Sequence, residues 1–181
     1  MPPTLHPQAE SLLEDLAAER VPPVDALSPA AVRAASRERF VREESPDVGG
    51  DVRDLAIAGP DGDLPIRVYE PGDEGPHPVL VYFHGGGWVR GDLDTHDELC
   101  RDLTRRVGCL TISVGYRRAP EHPFPAAAVD AHGAFEWAAD HVASLGGDPD
   151  RIAVAGDSAG GNLAAVTALM ARDGDGPAPV H

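Results

Sequence analysis

The chain contains no lysine; all 15 of its basic residues are arginine. Without a lysine amine, Ser-Lys nucleophile pairs and Schiff-base cofactors are excluded, because both chemistries run through that nitrogen. Cysteine is almost as scarce. Cys100 and Cys109 fall on an expected helix and an expected strand and read as reduced, buried packing residues, not as a disulfide framework. No basic start leads into an apolar core with a small-residue cleavage site, and no apolar run is long enough to span a bilayer. A cytoplasmic location is therefore expected. His96, His122, His132 and His141 show neither His-Glu-x-x-His nor Cys/His spacing, so neither a metal site nor a cofactor is expected. The net charge of −15 disfavours nucleic acid and anionic membranes as partners, since both carry the same sign. Acidity without lysine fits a salt-adapted organism and a GC-rich genome equally.

What is present is a pair of glycine-rich loops, each following an apolar run. Arg151-Ile152-Ala153-Val154-Ala155 reads as a short buried strand, Gly156-Asp157-Ser158-Ala159-Gly160 as a sharp turn, and Gly161 to Ala171 as a helix of small residues. Gly-x-Ser-x-Gly between a strand and a helix is the pattern that lifts a serine hydroxyl into the open on a strained turn. A phosphate-binding loop in the same place would need Gly-x-Gly-x-x-Gly or a Lys-Ser/Thr ending, and neither occurs. Upstream, Pro78 to Phe83 reads as a buried strand running into His84-Gly85-Gly86-Gly87-Trp88. Consecutive glycines let backbone amides converge on a developing oxyanion. The candidate site is thus Ser158 as nucleophile, with the amides of Gly86, Gly87 and Ala159 as oxyanion donors. Gly85 allows the tight turn, and His84 shapes the loop without exchanging protons. Asp157 points away from the serine and is structural.

Three stretches carry a family resemblance: His84 to Asp97, Tyr116 to Ala127, and Gly156 to Ala164. On these the chain resembles the amino-terminal part of the hormone-sensitive-lipase family of α/β-hydrolases, in its bacterial and archaeal esterase branch. The resemblance implies an α/β-hydrolase fold, a mostly parallel sheet with helices on both faces. It also implies a carboxylic-ester hydrolase acting on short- to medium-chain acyl esters without a cofactor. The alternative is a non-catalytic small-molecule-binding protein of the same fold. One departure stands out: Gly115 and Arg118 occupy positions where the family usually has Asp and Leu. Arg118 either compensates for the missing carboxylate or marks relaxed selection.

Two regions are expected: a helical cap over residues 1–45, and a partial hydrolase core over residues 46–181. In the first, Ser11-x-x-Glu14 suggests a capping box and Ser28-Pro29 a second helix start. Leu12, Leu13 and Phe40 either line the substrate entrance, as the resemblance implies, or simply pack these helices on the sheet. In the core, strands at Asp51–Ala58 and Leu64–Glu70 flank a Gly59–Asp63 turn. A helix capped by Thr95-x-x-Glu98 runs to about Val107, a strand covers Cys109–Val114, and a helix spans residues 126–143.

In this fold the nucleophile is followed along the chain by a carboxylate and then the histidine base. After Ser158 only Asp173, Asp175 and His181 qualify, and a helix followed by a Gly/Pro linker gives them no fixed position near the serine. The expectation is a chain truncated after the nucleophile helix, lacking the catalytic Asp and His. Its serine strand would form an exposed sheet edge, and a complementing carboxy-terminal half or a homo-oligomer would be its partner.

Overall fold

A computed structural model describes residues 5–18, 26–174 and 179. Its helices and strands alternate in the expected order. The helices are α1 (Pro7–Ala18), α2 (Pro29–Phe40), α3 (Asp97–Val107), α4 (Ala126–His141) and α5 (Ala159–Asp173). The strands are β1 (Gly49–Gly59), β2 (Gly62–Pro71), β3 (His77–Phe83), β4 (Leu110–Val114) and β5 (Gly147–Gly156). They form one sheet in the order β1-β2-β4-β3-β5. β1, β2 and β4 are joined by antiparallel pairings, while β4, β3 and β5 run parallel. Among the described residues β5 is an edge strand, as expected for the strand leading to Ser158.

Both sheet faces are covered, so the central strands are apolar on both sides. One face packs Val79, Val81, Ile66, Ile112 and Phe83 against Phe135, Ala131, Ala134, Ala138 and Leu163 of α4 and α5. The other face sets Tyr69 and Tyr82 against Cys100 of α3. Both cysteines are free and buried. Burial pushes the Cys100 thiol up to about 12, so it is an inert packing group at neutral pH.

Several boundaries differ from expectation. Ser11 lies inside α1, which starts at Pro7 where His6 Nδ1 accepts the Gln8 amide at 3.3 Å, so no capping box forms at Ser11. Thr95 does not cap α3 either: His96 holds the N-cap position, and the Thr95 hydroxyl is used on the backbone of Asp92. β5 starts at Gly147, ahead of the strand expected from Arg151, with Gly147 already paired with His77. Ser28 does cap α2, accepting the Ala31 amide at 3.2 Å with Pro29 in the first turn. Asp173 ends α5 paired with Arg172 at 2.7 Å, and Asp175 and His181 lie outside the described residues.

Candidate active site

β3 and β5 pair in parallel register, Phe83 opposite Gly156, so both glycine loops leave the sheet side by side. At the end of β5 the backbone turns through Ser158, whose φ is +51° and ψ −113°. A positive φ at a residue with a side chain is strained, and Ser158 shares this state only with Trp88 among the described non-glycine residues. The turn is tight because α5 starts against β3: a Cβ built on Gly160 would overlap the Phe83 carbonyl oxygen. That contact is the physical reason for the last glycine of the motif. Ser158 is exposed, and its hydroxyl has no hydrogen-bond partner among the described residues.

The other loop carries three consecutive positive φ angles, at Gly86 (+121°), Gly87 (+62°) and Trp88 (+59°). A Cβ on Gly86 would overlap the Arg90 carbonyl, so only glycine fits this fold of the chain. The Gly86 carbonyl closes the turn by accepting the Arg90 amide at 2.9 Å. The amides of Gly86 and Gly87 donate to no described residue, and that of Ala159 is the first, unpaired N–H of α5. Free N–H groups of this kind are what an oxyanion hole requires.

The two loops are bolted together by Asp157. Its Oδ1 accepts the Gly85 amide at 2.8 Å and the Tyr82 hydroxyl at 2.9 Å, with His96 Nε2 at 3.3 Å. The structural role expected for Asp157 is thereby given its content. His84 is fully buried; Tyr116 stacks on its ring at 4.2 Å and donates its hydroxyl to the His84 carbonyl at 2.7 Å. Burial holds the His84 imidazole down at about 4, so the ring is neutral at pH 7.

Sequence reasoning missed His96, Tyr116 and the arginines of α2. Arg33 donates to the Val89 carbonyl (2.7 Å), the Ala119 carbonyl (2.9 Å) and the Glu121 carboxylate (2.6 Å). Arg37 reaches Asp92 and Asp94. These pairs hold α2 over the glycine loop, and a cavity of about 210 Å³ lies between Ser36, Phe40, Gly85, Gly86 and Asp157. Phe40 thus faces the site, whereas Leu12 and Leu13 stay exposed on α1, which has no buried residue. A second cavity of about 340 Å³, mostly apolar, runs from Gly87 and Trp88 to Leu163 and Val166. Arg118 donates to the Gly91 carbonyl and so braces the far end of the glycine loop.

This geometry defines a class: a sheet whose parallel strands deliver a strained serine turn and an amide-lined glycine loop to one edge. The chain belongs to the family with the alpha/beta hydrolase fold, which matches residues 80–181, and within it to the hormone-sensitive-lipase-like branch. It is 50% identical over 155 residues to the carboxylic ester hydrolase LipN of Mycobacterium tuberculosis, covering 83% of this chain and 41% of that protein. To the arylesterase of Saccharolobus solfataricus it is 42% identical over 142 residues, covering 78% and 46%. Among solved structures, a hyperthermophilic esterase from the archaeon Pyrobaculum calidifontis superposes with a TM-score of 0.84 at 44% identity, covering 94% and 55%. An ester-hydrolase from the metagenome of Lake Arreo gives 0.89 at 39% identity, covering 97% and 58%. The chain therefore spans about half the length of these relatives.

Proposed function

We propose that this chain carries the nucleophile half of a carboxylic-ester hydrolase for short- to medium-chain acyl esters. The observation that carries the reading is the pairing of Ser158, strained and exposed, with a neighbouring loop whose Gly86 and Gly87 amides are unspent. Ser158 Oγ attacks the ester carbonyl, and the Gly86, Gly87 and Ala159 amides receive the charge that develops on its oxygen. Losing one such donor costs about 2.7–4 kcal/mol in comparable sites. Residues 1–45 act as a cap, with Phe40 at the cleft, and residues 46–181 as part of the catalytic core. Two free, buried cysteines support a reducing, cytoplasmic setting.

Nothing described hydrogen-bonds to the Ser158 hydroxyl. A general base and its carboxylate therefore come from residues beyond those described or from a complementing polypeptide docked on the β5 edge. Removing the base from a serine hydrolase costs about 10⁶ in kcat, so the described residues by themselves turn over substrate very slowly. The test is hydrolysis of p-nitrophenyl butyrate by the full reading frame against its Ser158→Ala variant. Equal rates overturn the assignment. Fast, Ser158-dependent turnover by the isolated chain overturns the need for an outside base.

A further inference from the structure

Two consecutive peptides of the glycine loop are held in different ways, and the difference decides where the Gly86 amide points. In the first, between His84 and Gly85, both ends are taken. The His84 carbonyl accepts the Tyr116 hydroxyl at 2.7 Å, and the Gly85 N–H donates to Asp157 at 2.8 Å. In the second, between Gly85 and Gly86, only the carbonyl end is taken, at 2.9 Å from His84 Nδ1. The Gly86 N–H donates to no described residue. This peptide is not among the cis bonds of the described chain, and in a planar trans peptide the carbonyl and the N–H point in opposite directions. With its oxygen turned to the buried His84 ring, it turns the Gly86 N–H away from that ring. Gly86 in turn lines the cleft under α2.

A carbonyl only accepts, so Nδ1 of His84 carries the proton and Nε2 is the bare nitrogen. The surroundings fit that assignment. His84 is fully buried and its Nε2 has no partner among the described residues, so nothing there competes for the proton. Tyr116 stacks on the ring with centroids 4.2 Å and planes 16° apart, which fixes the tilt of the imidazole. Gly91 keeps the contact open: a Cβ there would overlap the Gly85 carbonyl oxygen and come within 2.6 Å of His84 Nδ1. A sealed ring reaches no substrate. What it does reach is the carbonyl directly behind a free amide.

We propose that His84 and Tyr116 are positioning residues for the oxyanion donor at Gly86: the His84 Nδ1–H, with its ring held by Tyr116, fixes the Gly85–Gly86 peptide and so aims its N–H. The inference deepens the ester-hydrolase reading and rests on it. A hydrogen bond on the carbonyl also polarises the peptide, which makes its N–H a stronger donor to a negative oxygen. An amide aimed before the reaction needs no reorganisation when the charge develops. Its contribution belongs to the transition state, so it is read in kcat and not in KM.

The test uses the full reading frame, isotope-labelled at histidine and glycine. Tyr116→Phe keeps the stack and removes the hydroxyl, His84→Asn keeps an N–H close to the place of Nδ1, and His84→Leu removes it. By NMR the parent ring is the Nδ1–H tautomer. The Gly86 amide signal moves in His84→Leu and returns towards its parent position in His84→Asn. With p-nitrophenyl butyrate, kcat falls about tenfold in His84→Leu and about threefold in Tyr116→Phe while KM stays within about twofold, and His84→Asn recovers part of the loss. Affinity for a trifluoromethyl ketone, whose serine adduct carries the oxyanion, falls in parallel with kcat. A merely structural role would lower unfolding midpoints and leave kcat per folded molecule unchanged. An Nε2–H tautomer, a Gly86 amide indifferent to His84→Leu, or losses carried by KM overturn the proposal. Equal turnover by the parent and Ser158→Ala strikes the hydrolytic reading instead, and the NMR measurements then decide on their own whether His84 aims the Gly86 amide.

Discussion

Asp157 Oδ1 lies 2.8 Å from the Gly85 amide nitrogen, joining residues 72 positions apart and fixing one glycine loop to the other. The same oxygen takes the Tyr82 hydroxyl at 2.9 Å, so a single atom sets the spacing between the serine turn and the amides beside it. Asp157→Ala leaves both donors without an acceptor and is expected to lower unfolding free energy by about 1–3 kcal/mol. Asp157→Asn keeps an oxygen in place and recovers part of the loss. Urea denaturation of the three proteins checks this; equal midpoints for Asp157→Ala and the parent chain would show the bond to be energetically idle.

Ser158 is held at a positive φ that glycine adopts freely and serine does not. Such strain costs about 1–3 kcal/mol and persists where the surroundings enforce it. Ser158→Gly is therefore expected to raise stability by about 1 kcal/mol after the flexibility of glycine is subtracted, while removing any labelling by a fluorophosphonate. A destabilised Ser158→Gly chain would mean that the turn is relaxed.

The strands and most helices were legible because their signals are local. Pro78 to Phe83 and Cys109 to Val114 are apolar runs bounded by turn residues, and both are buried strands. Gly-x-Ser-x-Gly and His-Gly-Gly-Gly were legible because their glycines answer steric demands of the turn itself. What stayed hidden depends on which of several competing partners wins. The spacing at Thr95 does not show that Asp92, three residues before it, will take its hydroxyl and leave the cap to His96. Likewise Arg33 and Arg37 look like surface charges on a polar helix until the fold brings Val89, Asp92 and Glu121 beneath them.

Glu121 shows how those contacts respond to acid. Its hydrogen bonds with Arg33 hold its carboxyl at about 2, below the ordinary glutamate value. A depressed carboxylate pKa contributes stability that is complete above the unfolded value and is lost as pH falls through the folded one. Acidification from about pH 5 to about pH 2 is thus expected to loosen α2, and Arg33→Ala removes the share of that pH dependence carried by Glu121, leaving the share from Arg37 on Asp92. Hydrogen exchange of the α2 amides across the window gives the measurement; identical profiles in both proteins refute the link.

His84 acts in a different window. Burial lowers its pKa from the ordinary 6.5 to about 4. Between those values the unfolded chain binds a proton that the folded chain refuses, so stability is complete above about pH 6.5 and falls as pH drops towards 4. The shift corresponds to roughly 3 kcal/mol at the lower end. His84→Gln is expected to flatten this part of the curve, measured by denaturant unfolding across the window. A parent profile with no slope in that window would show the ring to be solvated in the folded chain.

Asp130 is almost fully buried on α4, and Arg117 meets it with its backbone amide at 2.9 Å and with Nη2 at 2.8 Å. The two partners are unequal in exposure: the Asp130 side chain is 2% exposed and that of Arg117 is 23% exposed. Removing either one therefore has different consequences. Arg117→Ala strands a buried carboxylate and is expected to cost about 3–5 kcal/mol. Asp130→Ala frees a guanidinium that reaches water and still pairs with Asp61, so its cost is smaller. Arg117 lies in the segment after β4, so the pair ties that segment to α4. A double-mutant cycle with denaturant unfolding separates the terms. An Asp130→Ala loss larger than that of Arg117→Ala would show that the carboxylate holds the turn after β4 through the Arg117 amide more than through the ion pair.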